Sequence, residues 1–130
     1  MGERALIQLT DGTDVSPVLY LHWGGRQVAD ILRRTQRRMR TRGADLEYTF
    51  ARLVQEAIGD DDGCLSFGVW NLTTPLTADY SHGDAGCFLV DISVCTSWAV
   101  RCFGGYGLSL DGSEEVGADR VKILTLPVPA

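Results

Sequence analysis

The chain holds two histidines, and each sits in a stretch whose residue types could carry chemistry. "DYSHGD", residues 79–84, puts two carboxylates, a hydroxyl and an imidazole in one polar run, and Ser81, His82 and Asp84 are the residue types of a nucleophilic triad. A triad needs its side chains in hydrogen-bonding series, with the serine on a sharp turn beside an oxyanion hole. Neighbours on one short turn rarely provide that series, so the stretch reads as turn chemistry, with a small hydrolase as the lesser alternative. "VLYLHWGG", residues 18–25, places His22 and Trp23 at the end of an apolar run. A histidine serves as a general base only when a second group holds it within reach of a substrate proton. The sequence shows no such group, so His22 reads as the cap of a strand edge, while alternation turns Trp23 inward with Leu19 and Leu21 and leaves Val18, Tyr20 and His22 on the other face.

Two further patterns fail on what they lack. "CFGGYGLSLDG", residues 102–112, is glycine-rich. It has neither the Lys-Ser/Thr of a phosphate loop nor the parallel strand-helix unit of a dinucleotide fold, and it reads as a hairpin loop. Cys64, Cys87, Cys95 and Cys102 form no CxxC pair, and His82 with Cys87 finds no further ligands at zinc spacing. The cysteines lie in or beside apolar runs, where a free thiol behaves as a small hydrophobe. They are expected to be reduced, and no metal or cofactor is expected.

The densest signal is cationic. Seven of the twelve basic residues fall between Arg26 and Arg42, with Asp30 the single acid among them, although the chain carries a formal charge of −5. All seven are arginines, whose planar fork suits carboxylate, phosphate and aromatic partners. On a helix, Val28, Ile31, Leu32, Thr35 and Met39 share one arc of roughly 100°, and Arg26, Arg33, Arg34, Arg37, Arg38 and Arg40 spread over the opposite side. Three readings follow: a solvated face neutralised by Asp60, Asp61 and Asp62, a docking face for a protein, or a nucleic-acid surface. A net acidic body repels a polyanion beyond the immediate patch, which favours a protein partner over RNA or DNA.

The elements that must position these residues are legible from periodicity. "RALIQL", residues 4–9, leads through "TDGTDVSP" into "VLYLHW", a hairpin signal. The arginine helix follows and ends at Gly43. Asp45 caps a second, core helix carrying Leu46, Phe50, Leu53, Val54, Ala57 and Ile58, stopped by Gly59. Residues 64–72, 87–94, 97–103 and 121–128 read as strands. The order ββααββββ predicts an α+β fold: an antiparallel sheet with both helices on one face, in a single domain over 1–130. The loops at 73–86 and 104–120 are expected to form mobile surface. The apolar run at 85–95 is far short of the ~20 residues of a spanning helix and contains Asp91. Glu3 and Arg4 lead into too brief an apolar stretch for a secretory signal, so a cytoplasmic location without membrane association is expected.

The hairpin that ends in Tyr20-x-His22-Trp23-Gly24-Gly25 and runs into two helices resembles small proteins of unknown activity encoded by bacteriophages and mobile elements, in which a Tyr-x-His-Trp-Asp-Gly stretch holds this place. The likeness covers residues 4 to about 58, with Gly24 where Asp is commoner. It implies an accessory protein that binds a host protein, as the inhibitors of bacterial immunity called anti-CRISPR proteins do with acidic surfaces and no active site. The expected function is therefore a non-enzymatic binding module. Its partner contacts are expected at Arg33, Arg37 and Arg40 and at the acidic residues Asp60, Asp61, Asp62, Asp111, Glu114 and Glu115.

Overall fold

The computed structural model describes residues 3–59, 63, 66–108 and 119–125. Ala5–Thr10 (β1) and Val15–Leu21 (β2) form the expected hairpin, closed by Asp11, whose carboxylate accepts from the backbone N–H groups of Thr13 and Asp14. Two helices follow, Val28–Met39 (α1) and Leu46–Ile58 (α2), then strands Phe67–Trp70 (β3), Gly86–Asp91 (β4), Ser97–Phe103 (β5) and Arg120–Thr125 (β6). The order along the chain differs from ββααββββ by two short 3₁₀ helices, Gly25–Gln27 and Ala78–Tyr80. The fold is α+β.

The sheet, however, is mixed. Its six strands lie in the order β3-β2-β1-β4-β5-β6, and β4 runs parallel to β1, from Ala5 opposite Gly86 to Thr10 opposite Asp91. This corrects the purely antiparallel expectation. β3 pairs with β2 at one edge and so runs in the same direction as β1. The chain must then travel back along the sheet before β4 can start, and residues 71–85 make that return across the face opposite the helices.

Most of those residues are exposed, as a surface loop requires, yet the segment is anchored to the sheet. Leu76 is buried in a second, smaller core with Leu6, Val18, Cys87 and Phe103, and Leu72, Tyr80, Tyr20 and Leu89 pack against it. The fully buried Gln8 of β1 pins the crossing: its Nε2 donates to the carbonyls of Thr74 (3.0 Å) and Ser16 (3.1 Å), and its Oε1 accepts from Leu76 N (2.8 Å). Residues 104–107 are likewise packed. Tyr106 N and Gly107 N donate to the carbonyls of Asp84 and Ala85, and a Cβ on Gly105 would lie 2.4 Å from the Ala85 backbone.

The main core lies between the helices and the sheet. It gathers Ile7, Leu9, Leu19, Phe88, Val90, Trp98 and Val100 under Val28, Ile31, Leu32 and Met39 of α1. Each fully buried aliphatic side chain there stabilises the fold by about 1.5–3 kcal/mol. Gln36 is also buried on α1, donating to Leu124 O at 2.7 Å and so tying the helix to the edge strand β6. α2 is more peripheral than its periodicity implied. It buries Thr49, Phe50 and Leu53, while Leu46, Val54, Ala57 and Ile58 are only partly covered. Its ends match expectation: Asp45 Oδ1 accepts from Tyr48 N, and Gly59, at φ 58°, closes the last turn. α1 stops at Met39, earlier than Gly43, whose φ of 73° turns the chain into α2. No helix among the described residues is long and apolar enough to cross a membrane.

Candidate functional site

The arginines of α1 divide into two stripes. Arg34 and Arg38, one turn apart, both clasp Glu56 of α2: Arg34 Nε lies 3.1 Å from Oε2, and Arg38 Nε donates to Oε1. The Arg38 bond first, and then Arg34, hold the Glu56 carboxyl below its ordinary range against the opposing effect of burial. Arg33, Arg37 and Arg40 are exposed, and their side chains make no hydrogen bond or ion pair with any described residue. At 1.5 Å rise per residue these three span ~10 Å of one helix flank. The two outer arginines serve other ends. Arg26 lies over the Tyr106 ring, 5.1 Å from its centroid, and Arg42 lies 3.7 Å over Tyr48, whose other neighbour is Arg52. Guanidinium stacked on an aromatic face is a use of arginine that its composition signals but does not locate.

A second assembly lies on the opposite face of the sheet, and it unites the two histidine stretches. Tyr20 Oη and His22 Nδ1 are 3.1 Å apart in a hydrogen bond, and the His82 ring meets Tyr20 edge-on with centroids 5.4 Å apart. His22 rests against Trp23 at 4.7 Å. Trp23 does not pack inward as strand alternation predicted: it is 57 % exposed. β2 ends at Leu21, so the two-residue period no longer governs position 23, which makes only a lone bridge to Glu3. The following glycines explain the turn. Gly25 donates to Glu3 O at 2.8 Å, and a Cβ there would come within 2.5 Å of Ala85 Cβ and of that same carbonyl. Gly25 is where the first strand, the helix start and the Ala85 segment converge.

Ser81, His82 and Asp84 do not form a series. Ser81 Oγ donates to Gly104 O and accepts from Gly83 N, His82 turns to Tyr20, and Asp84 pairs with Arg4 at 2.7 Å. That bond to Arg4 holds the Asp84 carboxyl below its ordinary range.

His82 does line an open depression with Leu6, Tyr20, Trp70, Asp79 and Tyr80. Trp70 and Tyr80 meet edge to face, centroids 4.9 Å apart. The sequence alone gives Trp70 no role, and it presents Asp79 and Tyr80 only as members of a polar turn. The signal available was an exposed-side tryptophan on a short strand, but its partner lay ten residues away across the crossing segment.

Cys87 and Cys102 are free and buried, and burial pushes both thiols up to about 11. Cys95 is free and half-buried. Among the described residues no group of three or more His, Cys, Asp or Glu side chains is gathered to hold a metal ion. The acidic candidates Asp60, Asp61, Asp62, Asp111, Glu114 and Glu115, together with Cys64, lie outside the described residues. No family model, no curated protein and no solved structure matches this chain.

Proposed function

We propose that this protein is a non-enzymatic binding module that docks an acidic surface of a partner protein through Arg33, Arg37 and Arg40. What supports the reading is the division of α1. Of its closely spaced arginines, one stripe is spent on Glu56, and the other faces solvent without an acidic partner among the described residues. An exposed arginine fork offers bidentate bonds to carboxylates, and three in a row give both attraction and register. The sharpest form of this reading is an inhibitor of a host defence complex, of the kind the Tyr20-x-His22-Trp23 resemblance implies. Its acidic residues Asp60, Asp61, Asp62, Asp111, Glu114 and Glu115 supply a second contact in that form.

Affinity purification of the tagged protein from its host, followed by mass spectrometry, names the partner. The purified complex is then measured with Arg33, Arg37 and Arg40 all changed to Glu. The expected result is loss of binding with the circular dichroism spectrum unchanged. Unchanged affinity after both this reversal and neutralisation of the six acidic residues ends the proposal. Filter binding of RNA and DNA at two salt concentrations tests the nucleic-acid alternative, whose mark is affinity that falls steeply with salt.

A further inference from the structure

The depression on the other face of the sheet carries a chemistry of its own. Four rings, Tyr20, Trp70, Tyr80 and His82, line it above the buried Leu6, with Asp79 beside them. The Trp70–Tyr80 pair is set at 72° and the Tyr20–His82 pair at 62°, so within each pair the rings meet edge to face. The face of an aromatic ring is electron-rich and attracts cations. Arg4 reaches this region, donating to His82 O at 3.3 Å, but its charge is matched by Asp84. Asp79 has no cationic partner among the described residues, and none of their arginines lies over Tyr20, Trp70 or Tyr80. The depression thus combines aromatic rings, an apolar floor and one negative charge without a cationic partner among the described residues.

That combination selects among ligands. A phosphate or carboxylate meets Asp79 with like charge. A small hydrated metal ion finds one carboxylate and no cage of oxygens to replace its water. A cation with an apolar, weakly hydrated surface gains from rings and carboxylate together. We infer that Tyr20, Trp70, Asp79, Tyr80 and His82 form a binding site for an alkylated ammonium group, with the rings holding its methyl surface and Asp79 its charge. This goes beyond the arginine-mediated docking proposed above, and it lies on the opposite face of the sheet.

The test is a titration of the intact chain with choline and with its neutral isostere 3,3-dimethylbutan-1-ol, following the indole N–H resonance of Trp70. Choline is expected to shift that signal saturably, with the isostere binding about tenfold more weakly. Asp79→Asn is expected to weaken choline binding severalfold while leaving the isostere unaffected. Asp79 is exposed, so its replacement leaves the packing intact. Phosphocholine and a trimethyllysine peptide, compared in the same assay, separate a lipid-type from a protein-borne ammonium, and tighter binding of either supports the site. Equal affinity for choline and its isostere overturns the inference, as does an unmoved Trp70 signal at choline concentrations up to about 0.1 M, two decades above a millimolar site.

Discussion

Arg34 of α1 sets its guanidinium 3.1 Å from the Glu56 carboxylate of α2, and Arg38 takes the other carboxylate oxygen, so a single acid fastens the two helices. Glu56 is largely covered while both arginines remain close to half exposed, which lets solvent screen the pair. Glu56→Gln should therefore lower stability by about 1 kcal/mol, read as a reduced urea midpoint. Because its folded carboxyl titrates below the ordinary 4.5, this contribution is present above that pH and fades as pH falls through the lower folded value. Parent and variant should converge in acid. A variant as stable as the parent at pH 7 argues that the clasp adds nothing to helix docking.

Gly24 and Gly25 should respond unequally to alanine. A Cβ added at Gly24 would meet Leu21 at an ordinary 3.4 Å, so Gly24→Ala should cost less than Gly25→Ala. Gly25→Ala would press on Ala85 Cβ and Glu3 O at 2.5 Å and should cost about 2 kcal/mol or more. Equal thermal melting of the two variants contradicts this packing.

The crossing segment should depend on one amide. Gln8→Ala removes both donors and the acceptor that hold Ser16 O, Thr74 O and Leu76 N. Leaving those groups without partners should cost about 2–4 kcal/mol in total. Hydrogen exchange gives a local readout: the Leu76 amide should lose protection more than amides of α1. Uniform loss across the chain would show that Gln8 acts on the whole core and not on this segment.

Stability should fall in alkali. Burial raises the thiols of Cys87 and Cys102 from 9.0 to about 11. The unfolded chain therefore loses these protons first, and the stabilisation that is whole below pH 9 declines as pH rises towards 11. Burial also raises Tyr106, which acts in the same direction. Replacing both cysteines with alanine should flatten the slope of urea midpoint against pH between 9 and 11. An identical slope in the variant assigns the alkaline loss elsewhere.

Much of the framework was legible because its causes are local. The Asp-Gly-Asp-Pro punctuation marked the first hairpin, the spacing of Val28, Ile31, Leu32, Thr35 and Met39 marked the buried flank of α1, and Asp45 and Gly59 marked the ends of α2. Ser97–Phe103 matched its expected strand. Period alone did not say how deeply α2 sits, since an apolar stripe is the same whether a neighbour covers all of it or half.

The residues themselves determined that helices and strands would form where they do, and that arginine would crowd one helix flank, because propensity and period act over a few neighbours. Tertiary structure decided that β4 runs alongside β1, since that pairing joins residues about eighty positions apart and depends on the path of the crossing chain. It also decided which arginines of α1 meet an acid and which meet none among the described residues, because Glu56 lies a helix away, and it alone brought Tyr20, Trp70, Tyr80 and His82 around one hollow. Side chains from distant segments meet only when the sheet between them has closed.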